Sequence, residues 1–385
     1  MPGPETSASG PLAGLRVLEL GGIGPGPFAG MLLGDLGATV TRVDRPDEAG
    51  RASSHPVLFR NRRSITLDLK HPAGVEVVLR LAEQVDVAIE GFRPGVAERL
   101  GIGPDQLLAR NPRLTYGRMT GWGQSGPLAD EPGHDINFLA LTGVLHAIGT
   151  AEQPAVPLNL VADMGGGGML LALGVLGGVL NARTSGQGQV VDAAMTDGSA
   201  TLLAMVHGFL NQGRWRDERA SNSIDGASPC YGAYRCADGR HVALGIGDER
   251  SYRVLLDALG LTGHPDFGDR ADRSAWGRMR QALGEIFARR RRDEWEQVLS
   301  GRGACVSPVL SLTEAPAHPH NVARGTFLTG AGGSIAPAPA PRFSATPPAP
   351  PRPAPTVGAD TDGVLREAGL ESAAIEALRA RGVVA

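Results

Sequence analysis

The first half of the chain alternates short apolar runs with segments of helical periodicity. The apolar runs predict strands at residues 15–20, 39–44, 85–90 and 114–119, with helices at residues 27–37 and 73–84 between them. Strands separated by helices are typical of βαβ units, which build a parallel sheet covered on both faces. The pattern therefore predicts an α/β fold.

The second half begins with an apolar block at residues 136–180, followed by a predicted strand at 188–195 and a helix at 199–210. After a polar stretch, residues 231–245 alternate like two antiparallel strands around an Asp238-Gly239 turn. Helical segments follow at residues 252–259, 274–289 and 293–299. This part of the chain is typical of a smaller α+β domain.

Residues 336–355 contain nine prolines, which exclude a helix or a central strand and predict an extended strap. A last helix is predicted at residues 361–369. We therefore expect a large domain, a linker, a small α+β domain and a C-terminal return to the large domain, at residues 1–213, 214–226, 227–328 and 329–385.

Composition narrows the class of protein. The 385 residues are 42% hydrophobic and 20% charged, an ordinary globular balance. A net charge of −3 supplies no global field for nucleic acid or an anionic membrane, and aromatic residues at 4% are sparse for base stacking. Any anionic ligand must be held by local basic side chains.

Targeting and redox features predict a cytoplasmic protein. Residues 1–10 lack the basic and apolar regions of a signal peptide, and the uncharged run at 164–180 is shorter than a bilayer span. Cys230, Cys236 and Cys305 are too scattered for a disulfide framework or a zinc site, so we expect free thiols. No membrane, nucleic-acid or metal partner is expected.

A glycine-rich stretch after the first strand resembles a dinucleotide-binding fingerprint. Gly24, Gly26 and Ala29 fit its spacing, and Asp44 closes the second strand. The chemistry disagrees, because pyrophosphate is held there by backbone N–H groups and Pro25 and Pro27 have none. A nicotinamide-dependent oxidoreductase is therefore a minor alternative.

Arginines in the first half could form a phosphate-binding shelf. The guanidinium group donates bidentately and keeps its charge, which suits phosphate. Each arginine alone could equally be a solvated surface residue. Their joint position near the carboxyl ends of predicted parallel strands favours a ligand, and the residues concerned are Arg42, Arg45, Arg60, Arg62, Arg63 and Arg93.

Two residues at helix starts could move a proton. His134 precedes an apolar helix, where the helix dipole favours a neutral imidazole that can act as a base, and Asp135 beside it could cap the helix or orient the ring. Asp163 heads a run of four glycines; it could be a helix N-cap or an acid/base. The glycine amides could stabilise an enolate oxygen. Asp248 is an unremarkable loop carboxylate.

Several strings together resemble the family III CoA-transferase superfamily, in particular its α-methylacyl-CoA racemase branch. The resemblance covers residues 11–370, and its motifs lie at residues 15–20, 92–95, 118–124, 133–137, 163–168, 188–192 and 231–239. It implies a large Rossmann-like domain built from both chain ends and a small domain between them. It also implies a homodimer of two interlocked chains, with the active site at their interface.

The resemblance implies roles for individual residues. His134 matches the base for one enantiomer of an acyl-CoA substrate and Asp163 the base for the other. Asp248 stands where racemases place a glutamate paired with the histidine, so the dyad is shortened by one methylene or Glu249 replaces it. The positions implied for coenzyme A and substrate contacts are Arg42, Arg60, Arg93, Arg118 and Gly133.

The expected function is 1,1-proton transfer at the α-carbon of a 2-methyl-branched or otherwise α-substituted acyl-CoA, as in lipid metabolism. No separate cofactor is expected, because coenzyme A belongs to the substrate. The main alternative is a CoA-transferase in which Asp163 is the nucleophile and forms an acyl anhydride. His134 and the glycine run after Asp163 favour the racemase branch. A non-catalytic acyl-CoA binder is a further alternative.

Overall fold

Six parallel strands form the central sheet. The computed structural model describes residues 9–385, and the strands are β1 (Arg16–Leu20), β2 (Thr39–Asp44), β3 (Arg62–Thr66), β4 (Val87–Glu90), β5 (Thr115–Thr120) and β6 (Gln189–Ala194). They lie in the order β3-β2-β1-β4-β5-β6. This is the strand order of doubly wound nucleotide-binding folds, which confirms the predicted α/β class.

β1 occupies the centre of the sheet and pairs with β2 on one side and β4 on the other. Val17 aligns with Val40 of β2 and Val87 of β4, and all three are fully buried. Strands covered on both faces are nearly continuous in apolar residues, which explains why the sequence pattern found them. The pattern missed β3 because this edge strand begins with two arginines.

Helices cover the sheet and complete the first compact unit, which comprises residues up to Thr142, Pro157–Leu203 and Ala336–Ala385. They are α1 (Pro25–Asp35), α2 (Pro72–Ala82), α3 (Val96–Leu100), α4 (Pro104–Arg110), α5 (Asp135–Leu141), a π-helix (Leu160–Met169), α7 (Leu170–Ser185), α8 (Met195–Leu202), α14 (Thr361–Glu367) and α15 (Ser372–Ala380). The prediction that the helix at 361–369 is the last was wrong. α15 follows it, and its Ile375 and Leu378 enter the same apolar core as α2.

The second unit comprises Gly143–Val156 and Ala204–Ile335. Its elements are α6 (Val144–Ala147), α9 (Ala204–Asn211), β7 (Tyr231–Arg235), β8 (His241–Gly245), α10 (Glu249–Leu259), α11 (Trp276–Phe287), α12 (Arg292–Leu299), β9 (Val306–Pro308), α13 (Pro319–Arg324) and β10 (Phe327–Thr329). A short strand β11 (Ile335–Pro337) spans the boundary, with only Ile335 in the second unit. The antiparallel pairing of β7 with β8 around the Asp238-Gly239 turn is confirmed, and Gly239 has a positive φ of 78°.

The units begin and end at other residues than the domains expected from the sequence. The second unit starts at Ala204, within the region expected to belong to the large domain, and it includes Gly143–Val156. The C-terminal return begins at Ala336. Most of the expected N-terminal tail at residues 1–10 lies outside the described residues.

The continuous helical stretch Leu160–Ser185 is long and apolar enough to cross a membrane, by length and composition alone. Core helices of soluble proteins pass the same test. The α7 part packs against β5 and β6 through a face that includes Leu171 and Val175, both fully buried.

The glycine run at Gly165–Gly168 permits close helix packing. A Cβ on Gly166 would lie 2.8 Å from the backbone nitrogen of Ser199 in α8. A Cβ on Gly198 would overlap the carbonyl oxygen of Gly166. Glycine is therefore required on both sides of this contact, which sets the position of the π-helix that carries Asp163.

We predict that Gly198→Ala lowers the free energy of unfolding by about 1–3 kcal/mol, because the methyl group must push two helix backbones apart. Gly284→Ala is the matched control: it lies inside α11 with nothing within 4 Å, so alanine should stabilise by about 1 kcal/mol. Chemical denaturation measures both. Equal stability changes of the two variants would contradict the packing role of Gly198.

Candidate active site

A cavity of about 330 Å³ opens at the carboxyl ends of the central strands. Its walls come from the loops after β1, β4 and β5, from the residue before α5, and from the π-helix. The direction of winding changes between β1 and β4, and ligands of doubly wound sheets bind in the crevice at this point. Its lining residues include Gly24, Arg93, Trp122, Gly133, His134 and Asp163.

His134 stands at the N-cap position of α5. Its backbone amide donates to Oδ1 of Asn137 at 3.0 Å, which holds the residue at the helix start. The side chain is exposed and lines the cavity. The imidazole is therefore available to a ligand.

Gly133 allows the aromatic packing behind His134. Trp122 and Phe138 meet edge to face, with ring centroids 4.7 Å apart. A Cβ on Gly133 would lie 2.7 Å from the Phe138 ring and 3.0 Å from Trp122. Gly133 was predicted as a substrate contact; it lines the cavity, and the structure also gives it this steric role.

Asp163 lies half-buried in the first turn of the π-helix and faces the same cavity. Its Oδ2 accepts a hydrogen bond from the Asn159 side chain at 3.3 Å. Burial raises the pKa of the Asp163 carboxyl, and the negative charge of Asp135 adds to this, while Asn159 and His134 oppose it. A carboxylate with a raised pKa is better suited to exchange protons near neutral pH.

The structure does not support an enolate site at the glycine run. The four glycines lie inside the π-helix, where backbone amides are taken up by hydrogen bonds along the helix, and Gly166, Gly167 and Gly168 are buried. The glycines were interpreted as a site for ligand approach, but the approaching groups are α1 and α8. A glycine run cannot distinguish these two reasons from sequence alone.

A second cavity of about 550 Å³ adjoins the first, and both are lined by Ile23 and Gly24. Arg42 lines it and stacks over the Phe59 ring at 4.4 Å. The guanidinium also forms ion pairs with Glu19 and Asp44, so most of its donors have protein partners. Arg51 and His55 are exposed on the wall of this cavity. Sequence reasoning missed both, and the only signal was their loop position between two strands.

Two predicted phosphate ligands have internal partners instead. Arg60 is 4% exposed and donates to both carboxylate oxygens of Asp35 and, at 2.7 Å, to the carbonyl of Pro337. Arg62 is buried against Glu19. The geometry therefore does not favour Arg60 or Arg62 as direct coenzyme A contacts.

Arg118 is paired inside the protein like Arg60 and Arg62, whereas Arg93 is open to a ligand. Arg118 is buried and donates to Glu90 at 3.0 Å and to Glu98 at 2.7 Å, so it also acts within the protein. Arg93 is exposed and lines the first cavity. Among the arginines predicted as coenzyme A contacts, Arg93 has the accessible guanidinium that a phosphate requires.

Asp248 is the N-cap of α10, in the second unit. Its carboxylate accepts from the backbone amide of Ser251 and from the Ser251 hydroxyl, both at 2.9 Å. These bonds lower the pKa of Asp248 below its ordinary value. Glu249 forms an ion pair with Arg253 one turn later at 3.2 Å. The role of either carboxylate beside His134 stays a prediction.

A doubly wound parallel sheet with a cavity at its switch point, lined by a histidine and an aspartate, defines an α/β protein with a candidate acid/base site. The chain belongs to CoA-transferase family III, whose sequence profile matches residues 12–361. This establishes the family that the sequence motifs indicated.

The chain is similar to named members of two functional groups. It is 42% identical over 375 residues to the alpha-methylacyl-CoA racemase of Mus musculus, covering 97% of each chain. It is 32% identical over 338 residues to the succinyl-CoA–D-citramalate CoA-transferase of Chloroflexus aurantiacus, covering 83% of each. A CAIB/BAIF family protein from Brucella suis has a similar structure, with a TM-score of 0.80 and 25% identity over 94% of this chain and 100% of that one.

We predict that Arg60→Ala lowers the stability of the protein, whereas Arg93→Ala weakens ligand binding. Arg60→Ala leaves Asp35 buried without its cation and should cost about 3–5 kcal/mol of stability. Arg93→Ala should keep the wild-type unfolding temperature but weaken acyl-CoA binding about tenfold or more, through loss of one charge-assisted hydrogen bond. Thermal unfolding and calorimetric titration measure the two effects. Arg113→Ala, at an exposed site before β5 and away from both cavities, is the control; weaker binding in Arg60→Ala at unchanged stability would reverse this assignment.

Proposed function

We propose that this protein is a racemase that inverts the α-carbon of a 2-methyl-branched or otherwise α-substituted acyl-CoA thioester. The main support for this proposal is that His134 and Asp163 line one cavity at the switch point of the sheet. The similarity to a racemase over 97% of both chains supports the choice among family members.

The reaction needs two proton carriers and no redox chemistry. One of the two residues removes the α-proton, the C–H electron pair moves into an enolate, and the other residue returns a proton to the opposite face. The thioester carbonyl makes the α-proton acidic enough for protein bases. The raised pKa of Asp163 brings its proton affinity closer to that of an imidazole, which suits a reaction that must run in both directions.

Coenzyme A would extend from the first cavity into the second. The acyl thioester then lies between His134 and Asp163, and the nucleotide end lies near Arg51 and His55, whose side chains are exposed there. Arg93 at the first cavity is an additional phosphate donor. Coenzyme A enters as part of the substrate, and the proposed chemistry uses neither a metal nor a separate cofactor.

CoA transfer is the second candidate, because the family also contains transferases such as the citramalate enzyme. A transferase would use the Asp163 carboxylate to attack the thioester carbonyl, forming an acyl anhydride and releasing the coenzyme A thiolate. His134 beside the carboxylate in the same cavity favours proton transfer instead.

We propose an interlocked homodimer as the working form. Large apolar side chains are exposed on the π-helix and α7, where Leu160, Met169, Leu173 and Leu180 are each at least 54% exposed. Patches of this kind mark protein interfaces. In the second unit, α9 has no buried residue of its own. The arrangement would let Asp248 or Glu249 of the partner subunit approach His134.

We also propose that the enzyme works in the cytoplasm. Cys230, Cys236 and Cys305 are free thiols, and two of them are buried. Free thiols are typical of a reducing compartment.

We predict that the purified protein converts either enantiomer of 2-methylacyl-CoA into a mixture of both. Chiral chromatography of the hydrolysed acids measures the conversion. His134→Ala and Asp163→Asn should each lower kcat for inversion about 10²–10⁴-fold, because each removes one acid/base. His71→Ala, at the α2 N-cap and away from both cavities, is the control. CoA transfer to an added carboxylic acid without inversion, with an acyl group trapped on Asp163, would establish the transferase instead.

We predict that Leu173→Glu with Leu180→Glu converts the homodimer into a monomer. Wild-type protein should behave in light scattering as about twice the 39.9 kDa chain mass, and the double variant as one chain. Leu312→Glu, at an isolated leucine that is 92% exposed, should leave the dimer intact. A monomeric wild-type protein with full racemase activity would refute the interlocked assembly.

A further inference from the structure

Asp135 joins the two structural elements that carry the proposed bases. It is the first residue of α5 and follows His134 directly. Its Oδ2 accepts hydrogen bonds from the backbone amides of Ala162 at 2.9 Å and Asp163 at 2.8 Å. One carboxylate oxygen therefore connects the helix start after His134 to the backbone of Asp163.

The backbone amides that donate to Asp135 belong to the first turn of the π-helix. First-turn N–H groups have no partner within their own helix, so an outside acceptor satisfies them. Asp135 supplies that acceptor from 28 residues away in sequence. A local N-cap such as a serine would satisfy the same amides, but it would not link them to α5.

The other carboxylate oxygen of Asp135 has a different environment. The residue is only 7% exposed, and Oδ1 accepts no hydrogen bond within the described part of the chain. A buried carboxylate with one unpaired oxygen carries a desolvation cost that a neutral side chain would avoid. A neutral acceptor could also satisfy the two backbone amides, so the hydrogen bonds and the charge of Asp135 are separate contributions to the site.

We propose that Asp135 is a positioning residue that fixes the separation of His134 and Asp163 across the α-carbon. This assignment rests on the racemase function proposed above. We call the two hydrogen bonds from the Ala162 and Asp163 amides to Asp135 the clamp. While the clamp is formed, His134 and Asp163 stay at the spacing that transfer of one proton requires. Proton transfer is sensitive to this geometry, since a misplacement of about 1 Å can cost roughly 100-fold in rate.

The charge of Asp135 also affects Asp163 through space. It raises the pKa of the Asp163 carboxyl, after burial, which raises it more, and the Asn159 hydrogen bond, which lowers it. His134 acts in the opposite direction, and Arg93 and Glu131 line the same cavity. On the helices packed against the π-helix, Asp197 of α8 is exposed, while Asp35 of α1 and Arg183 of α7 stand at the distal ends of their helices.

Two variants separate hydrogen bonding from charge. Asp135→Ala removes the acceptor, and kcat for inversion should fall about 100-fold while KM changes less than about twofold. Asp135→Asn keeps an oxygen that can accept both amides, so most of kcat should return. Because the asparagine is neutral, the acid limb of its kcat/KM profile should move to lower pH in the direction where Asp163 is the base.

Asp86→Ala is the matched control. Asp86 also accepts a backbone amide, from Arg16 at 2.9 Å, but it precedes β4 at the opposite edge of the sheet. Unchanged kcat in Asp135→Ala, or an equal loss of kcat in Asp86→Ala, would overturn the positioning role. So would Asp135→Asn as slow as the alanine variant.

Amide hydrogen exchange at Ala162 and Asp163 tests the clamp without turnover. Both amides should be protected in the wild-type protein and should exchange faster in Asp135→Ala. If the wild-type protein does not invert any α-substituted acyl-CoA, the racemase proposal fails while this exchange result still reports on the clamp. Unchanged protection in Asp135→Ala would remove the clamp whatever the reaction is.

Discussion

The reversal of winding at β1 is the constraint on which the site depends. Once β1 lies between β2 and β4, the loops leaving β1 and β4 must diverge to opposite sides of the sheet. The crevice between them receives the loop with Gly24 on one side and the loop with Arg93 on the other. α5 and the π-helix then close the remaining walls with His134 and Asp163. The two candidate bases share a cavity because the topology brings these elements to one edge of the sheet.

Ion pairs inside the protein hold the crevice loops in place. Glu19 is completely buried near the carboxyl end of β1 and pairs with Arg42 of β2 and Arg62 of β3. Glu90 ends β4 and accepts from the Phe92 amide at 2.6 Å and from Arg118. A charge in such a site is retained only with a well-placed partner. Arg42, Arg62 and Arg118 therefore serve first to shape the cavities, and Arg51 and Arg93 remain exposed to meet a ligand.

The sequence identified the sheet and the candidate bases for physical reasons that hold locally. Buried strands such as β1 and β4 are rich in apolar residues, and a histidine or aspartate before an apolar helix is visible as a helix start. β3 begins with two arginines and α15 lies beyond the proline strap, so their burial depends on distant contacts. The predicted ligand roles of the arginines agree least with the structure, because a guanidinium binds a carboxylate and a phosphate equally well. Whether an arginine binds a carboxylate or a phosphate depends here on the positions of Asp35, Glu90 and Glu98. These positions are set by the fold.

The central claim is that His134 and Asp163 act on opposite faces of one carbon. Proton NMR in heavy water, starting from each enantiomer of 2-methylacyl-CoA separately, tests it most directly. Wild-type protein should exchange the α-proton of both enantiomers. His134→Ala should exchange only one enantiomer and Asp163→Asn only the other, because each variant retains a single base. Exchange of both enantiomers by either variant, or of neither by the wild-type protein, would contradict the two-base site.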